Sequence, residues 1–354
     1  MKRSAKLFST TVIILCVMAA FLSACNNKND PKIATLTVAS TQDISSGSFY
    51  EGAQKFAEEY GCTVEFTDSA ENADLIYSSG EDFSQCIPIT KYVNIRNPLY
   101  TREIIENSLT QNGEIFGVTN AVIGRINYCS YDPEQYGDSP IPYDYFKNGK
   151  WSWNSFIEMT DNINSNVSVR WTDSYINMRH ALSRGKDGKT IFDYGTQEQI
   201  EWLNFVRTLI YDDGIADNTE GAFKVGFLPE LTLNAVAEGM SPRYIPWPTK
   251  NGKLSEVFVD EYHFSVPKSA QNPKLSVQLA DAMIKSCVDT RMNLYESNMT
   301  AEDFKIFKKQ LKKVYTYPEH SDYVSAQIMV DDFVHGKTVT EHIFNAENGA
   351  DHIK

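Results

Sequence analysis

Apolar positions along the chain fall into short alternating runs and helical stripes that follow one another closely. Residues 33–40 (IATLTVAS) predict a strand, and a polar, Ser-rich loop, Thr41–Ser48, follows it. A helix is expected from about Phe49, because Tyr50, Ala53, Phe56, Ala57 and Tyr60 share one face and Gly61 stops it. Thr63–Thr67 alternates as a second strand, and Asp74–Tyr77 predicts a third that ends in the loop Ser78–Asp82. Strand–helix–strand with short links is the start of an open α/β sheet. Such sheets bind ligands beyond the carboxyl ends of their strands. That rule nominates the two loops Ser40–Ser48 and Ser78–Asp82, with Asp43, Ser78, Ser79 and Glu81 as candidate ligand contacts, since these side chains can exchange hydrogen bonds with hydroxyls.

Further along, Asn112-Gly113 marks a tight turn that tolerates positive φ. Ile115–Val118 follows as a short apolar strand, and a second apolar run ends at Tyr131-Asp132. Ser152-Trp153 starts a helix with Trp153, Phe156, Ile157, Thr160 and Ile163 on one face. In Val167–Ser174, Trp171 stands between Arg170 and Asp173, a polar setting that suits a partly exposed ring. Trp151, Trp153 and Trp202 are assigned to packing. Thr196–Gln199 fits a capping box before a helix with the stripe Ile200, Leu203, Val206 and Ile210, closing at Gly214. Gly221–Pro229 leads to Glu230, and Arg243–Pro248 presents Trp247 rigidly between two prolines. Phe258–Val266 reads as one strand carrying Glu261, Tyr262 and His263. Pro273 opens a helix with Val277, Ala280, Met283 and Ile284 inside, and Ala301–Lys354 is helical by pattern.

The N-terminus changes the picture. Lys2, Arg3 and Lys6 precede an apolar run, Val12 to Leu22, that closes on Leu22-Ser23-Ala24-Cys25, the form of a signal peptide and too short for a membrane span. Small residues directly before a cysteine resemble a lipobox, which implies lipidation at Cys25 and cleavage before it. A polar tether, Asn26–Pro31, suits a protein hung from a membrane. Removing the leader leaves 330 of the 354 residues, ample for two lobes with separate cores, and takes the net charge from −13 to about −16. Such acidity argues against nucleic acid as a partner, because phosphate binding needs a basic face. Cys62, Cys86, Cys129 and Cys287 show no CxxC spacing and so no metal knuckle. An even number permits disulfides, Cys62 with Cys86 among them, or four buried free thiols.

Several motifs, in this order, resemble the bacterial extracellular solute-binding lipoproteins of sugar ABC importers, the maltose-binding-protein-like group. They are the turn and strand Asn112–Val118 (NGEIFGV), the strand end Tyr131-Asp132, the helix start Ser152–Phe156 (SWNSF), Gly221–Pro229, Arg243–Pro248, the Pro273 helix, and Phe333–Ile343 (FVHGKTVTEHI). The resemblance implies a two-lobed α/β fold of the periplasmic-binding-protein type (type II), two open α/β domains joined by a hinge. It places a signal peptide at 1–24, a lipidated Cys and tether at 25–32, lobe one at 33–118 plus 264–300, and lobe two at 124–258 plus 303–354. Gly117–Arg125 and Phe258–Val266 would be the first two crossings between lobes, with Asn120, Arg125 and Tyr262 facing the cleft. Relatives offer aromatic rings to sugar near Trp171, and Trp247 joins it as a candidate; Glu230 stands where relatives commonly have a sugar-facing aromatic. The implied function is capture of a small solute, a sugar, by a lipid-anchored monomer outside the cell membrane, which then serves ABC permease subunits without catalysis, cofactor or metal. Two alternatives stay open: the same fold binding an amino sugar or other cationic or polar solute, and a sensing or adhesion lipoprotein that has lost transport.

Motifs of other chemistry fail on their spacing. Gly336-Lys337-Thr338 would need a glycine at position 331 to cradle phosphate, and Asp331 stands there. Ser183–Lys186 matches the SxxK of acyl-enzyme formers but no SDN or KTG accompanies it. The sequence holds no GxSxG, no HExxH and no EF-hand loop, and its six histidines lack ligand spacing.

Overall fold

A computed structural model describes residues 35–80, 82–162, 182–184, 190–192, 197, 201, 205, 223–253 and 257–316, with the backbone alone at 161, 162, 182–184, 190–192, 258, 260 and 315. The chain begins with β1 (Thr35–Ser40), α1 (Gly47–Tyr60), β2 (Thr63–Thr67) and β3 (Leu75–Ser78). The helix ends where the sequence requires it, at Gly61 in the left-handed region, φ 64°, a conformation that costs glycine nothing. After α2 (Arg102–Asn107) come three two-residue strands, β4 (Thr110–Gln111), β5 (Glu114–Ile115) and β6 (Gly117–Val118). Asn112 and Gly113 turn β4 onto β5 with φ 52° and 81°, a hairpin in which both central residues take positive φ. The single strand expected over Ile115–Val118 is thus split at Phe116: β5 closes the hairpin and β6 leaves to join the main sheet.

The chain next forms β7 (Arg125–Tyr131), α3 (Pro142–Lys147), α4 (Trp153–Asn162), the small hairpin β8 (Leu182–Arg184) with β9 (Thr190–Phe192), then β10 (Phe223–Phe227), α5 (Leu228–Ala237) and β11 (Arg243–Ile245). It continues through β12 (Val257–Asp260), β13 (His263–Ser265), α6 (Pro273–Asn298), α7 (Ala301–Gln310) and β14 (Val314–Thr316). Two five-stranded arrangements result. The first sheet runs β2-β1-β3-β13-β6, with β1 and β3 parallel. The second runs β10-β7-β12-β14, with β11 also paired to β7.

Three segments carry the chain between the sheets. Thr119–Gly124 links β6 to β7, Glu261-Tyr262 links β12 to β13, and Met299-Thr300 links α6 to α7. The strand expected over Phe258–Val266 is therefore two strands in different sheets, broken at Glu261-Tyr262. The C-terminal region also departs from the helical pattern: α7 stops at Gln310, and β14 pairs in parallel with β12. Val314-Tyr315-Thr316 has the β-branched and aromatic composition of a strand, which a helix stripe cannot use as well.

Each sheet is covered by its own layer. On the first, Gly52 of α1 meets α6 so closely that an added Cβ would lie 2.7 Å from the Ala282 carbonyl oxygen. Asp74 ties the strand ends, accepting from the amides of Thr37 (3.0 Å) and Gln271 (3.3 Å). The second sheet rests on an aromatic core of Tyr131, Tyr136, Trp151, Trp153, Phe156, Phe205, Phe223 and Trp247, all buried. Trp151 and Trp153 are buried core residues, in keeping with their assignment to packing; Trp202 lies outside the described residues. The four described cysteines are free thiols and Cys62 is unlinked to Cys86.

Candidate functional site

The register of the strands decides which candidates meet. Because β1 and β3 are parallel with Ser40 opposite Tyr77, the loops after them leave the same edge of the first sheet. Asp43 sits on the first loop, exposed, its Oδ1 accepting from the amide (3.2 Å) and hydroxyl (2.9 Å) of Ser45. Ser78 closes β3 opposite His263, half-buried, and Ser79 follows it, exposed. Glu81 lies outside the described residues. Its neighbour Asp82 accepts from the Ser84 amide at 2.9 Å, a bond that holds its carboxyl below the usual carboxylate range.

Tyr262 arrives beside this edge from the second crossing. Its ring stacks on Tyr77 at 5.5 Å between centroids with planes 19° apart, and Tyr77 rests in turn on Phe49 (5.0 Å) and Phe264 (4.8 Å). The half-buried Tyr262 is thereby a ring already held in place by three others. Such a platform grips an apolar C–H face at little entropic cost. Reading the strand after Tyr77 alone, where serines follow, conceals it; the platform is built from β3 and the β12–β13 link, far apart in sequence. Thr119 donates to the Tyr262 carbonyl and so joins the first crossing to the second.

The second sheet places charged residues at the end of β12, which leads into this crossing. β12 sets Asp260 opposite Arg125, two residues before Tyr262. β10 sets Phe227 opposite Asn127, so Arg125 at the start of β7 and Glu230 in the first turn of α5 lie at one end of their ladder. Arg125 Nε is 3.9 Å from Glu230 Oε1, and the guanidinium lies over the Phe227 ring at 5.1 Å. Two sequence candidates thus pair with each other.

Other candidates are committed elsewhere. Asn120, expected to face the cleft, caps a short 3-10 turn: its Oδ1 accepts from the Val122 amide (2.9 Å) and its Nδ2 donates to the Leu99 carbonyl (2.7 Å). Trp247 is 5% exposed, its ring among Phe156 and Phe223 in the aromatic core. Trp171 and Cys25 lie outside the described residues. Arg291 of α6 went unnoticed in the sequence because only the apolar stripe of that helix was legible. Its Nη1 donates to the carbonyls of Val122 and Gly124, 2.8 Å each, and pins the first crossing. The buried His263 faces Glu261 at 3.1 Å, a structural contact of the second crossing.

A separate polar depression of about 500 Å³ on the second sheet's side is lined by Tyr145, Lys150, Ser152, Asn154, Glu158 and Lys250 among others. None of the described sequence candidates borders it. Among the described residues no group of His, Cys, Asp and Glu could hold a metal ion, and no helix is long and apolar enough to cross a membrane.

No protein-family model matches the chain, and no curated protein matches it significantly. Solved structures do match over nearly the whole length. The maltose-maltodextrin binding protein of Alicyclobacillus acidocaldarius is similar at 14% identity and a TM-score of 0.64, covering 90% of this chain and 100% of its own. The sugar-binding protein MalE from Xanthomonas citri is similar at 14% identity and a TM-score of 0.66, with 90% and 97% covered. An ABC substrate-binding protein from Listeria monocytogenes, in complex with cycloalternan, is similar at 10% identity and a TM-score of 0.63, with 90% and 98% covered. The fold of this chain is therefore the two-lobed α/β fold of type II solute-binding proteins.

Proposed function

We propose that this chain is the solute-binding component of an ABC importer, held outside the cell membrane by a lipid on Cys25, and that it captures a carbohydrate by closing two lobes about a hinge. The lobes comprise residues 33–118 with 264–300 and residues 124–258 with 303–354. The observation that supports the reading is the second crossing: Tyr262 stacks on Tyr77 one residue before His263, which pairs with Ser78, and two residues after Asp260, which pairs with Arg125, the partner of Glu230. An aromatic face beside hydroxyl, carboxylate and guanidinium groups is what a sugar needs, an apolar C–H surface ringed by donors and acceptors. Solved proteins of this fold that bind maltodextrins or cycloalternan support the same class of ligand. Hinge closure suits a cleft between two rigid sheets joined by short crossings. The closed form is what the permease subunits recognise, and no bond is made or broken.

A thermal-shift screen of the protein against sugars, amino sugars, amino acids and polyamines tests this. A true ligand at 100 times its Kd adds about 2.7 kcal/mol, a shift of a few degrees at this size. A saccharide hit supports the reading. A response confined to cationic solutes keeps the fold and replaces the ligand, and silence across the panel turns the assignment toward sensing or adhesion. Membrane fractionation of Cys25→Ser reports the anchor: the variant is expected in the soluble fraction or retained as an uncleaved precursor.

A further inference from the structure

We propose that the lysine face formed by α7 and the turn after it lies against the anionic phospholipid headgroups of the membrane and sets how the body is held there. The inference rests on the membrane-anchored reading above and goes beyond it, since a lipid on Cys25 retains the chain but leaves its orientation free.

The chain carries 33 basic against 46 acidic residues, yet Lys305, Lys308, Lys309, Lys312 and Lys313 fall within one short stretch. In α7, Asp303, Phe304, Phe307 and Gln310 are buried, and Lys305, Lys308 and Lys309 share the opposite face at i, i+3 and i+4. Lys312 and Lys313 follow in the turn to β14. There the Lys313 carbonyl accepts from the Val257 amide at 3.2 Å and holds the turn to the edge of the second sheet. All five side chains are exposed.

The carboxylates closest in sequence or contact are already committed. Asp303 is buried in the fork of Arg243, Glu302 lies 3.9 Å from the same guanidinium, and Glu103 accepts from the Val314 amide at 3.2 Å. None of the five lysines forms an ion pair with a described residue, and Lys308 lies over the Phe304 ring at 4.3 Å. A helix C-terminus favours cations, but that accounts only for Lys308 and Lys309, which stand in the last turn.

Five flexible point charges suit a diffuse layer of negative charge better than one fixed partner, because each ammonium reaches a headgroup without a set geometry. Position favours the same occupant. Residues 26–34 separate Cys25 from β1, a reach of at most about 30 Å when extended, which keeps an anchored body beside the bilayer. The rest of this acidic chain is repelled by an anionic surface, so the attraction selects one face.

The test floats the mature acylated chain with vesicles of phosphatidylcholine, or of phosphatidylcholine and phosphatidylglycerol in equal parts. Mass spectrometry then reads how fast each lysine reacts with a neutral acetylating reagent. On the anionic vesicles the five lysines are expected to react at least about fivefold more slowly than on the neutral ones. Lys55 of α1 and Lys91, equally exposed, are expected to be unchanged. High salt is expected to remove the protection, because the contact is electrostatic and screened. Equal rates for the five lysines on both vesicles overturn the inference and leave the face to an acidic protein partner. Slowing that extends equally to Lys55 and Lys91 overturns it too, as adhesion with no preferred face. A chain that floats with the anionic vesicles alone overturns the lipid anchor and keeps the lysine face, and one that floats with neither overturns both.

Discussion

The two sheets use their aromatic residues in opposite ways. In the first, four rings form a chain that surfaces: Phe264 and Phe49 support Tyr77, which supports the half-buried Tyr262 at the crossing. In the second, the large rings turn inward, and Trp151, Trp153, Phe156, Phe205, Phe223 and Trp247 fill one core. The surface that the second sheet turns to the crossing carries charge instead, Arg125 with Glu230. On the proposed reading, the difference teaches that stacking and hydrogen bonding would be divided between the sheets, one supplying a ring and the other a charged pair.

The comparison breaks most visibly in the second core. Phe156 is fully buried and touches Trp151, Phe205, Phe223 and Trp247. Phe156→Ala is expected to cost about 3–5 kcal/mol, read by denaturant unfolding, because a ring-sized cavity cannot collapse among other rings. A loss below about 1 kcal/mol would mean that this core is loosely packed. Next comes the fork of Arg243 onto Asp303, at 2.8 and 2.7 Å, with the carboxylate side chain only 1% exposed. Arg243→Met is expected to cost about 3 kcal/mol, since it leaves that buried charge with the Tyr244 amide alone among these donors.

The first sheet answers with steric contact. Gly52→Ala would place a Cβ 2.9 Å from the Met283 Cα and nearer still to the Ala282 oxygen, both backbone. About 1–3 kcal/mol is expected, the cost of prising α1 from α6. At the platform, Tyr262→Ala is expected to weaken sugar binding roughly tenfold while leaving the unliganded melting temperature close to wild type. Equal affinity in the variant would remove the stacking half of the comparison.

Local pattern carried the sequence reading as far as local pattern reaches. The alternation of Thr63–Thr67, the Gly61 stop and the Asn112-Gly113 turn are each decided within a few residues, and each is found where the sequence places it. Phe116 and Glu261-Tyr262 show the limit. Nothing local says that one apolar run must divide between two sheets, since the partners that divide it, β4 and β13 in one case and β7 and β3 in the other, lie elsewhere in the chain. The site obeys the same rule. Arg125, Glu230, Ser78 and Tyr262 were nameable one at a time as polar or aromatic residues at strand ends. That Arg125 meets Glu230, and that Tyr262 lies on Tyr77, follows from register, which a single sequence does not display. Asn120 shows the ambiguity of a polar side chain at a crossing, since one that can meet a ligand can equally cap a turn, as it does here.

The smallest expected effect sets a half-buried carboxylate against a buried one. Asp303, on the second sheet's side, is held by a guanidinium; Asp281 of α6, on the first, accepts from the phenol of Tyr100. Burial raises the Asp281 pKa, and the Tyr100 hydrogen bond only partly opposes it. In the unfolded chain the group returns to its ordinary value of about 3.9. Between the two values the native carboxyl keeps a proton that the unfolded one has lost, so the native state binds more protons. Its contribution to stability is fully present below the unfolded pKa and is lost as pH rises through the folded one. Asp281→Asn removes the titration and keeps an oxygen for Tyr100 to donate to. The variant's melting temperature is therefore expected to gain on wild type as pH climbs from about 4 toward neutrality. A constant offset across that range would show that Asp281 does not titrate in it.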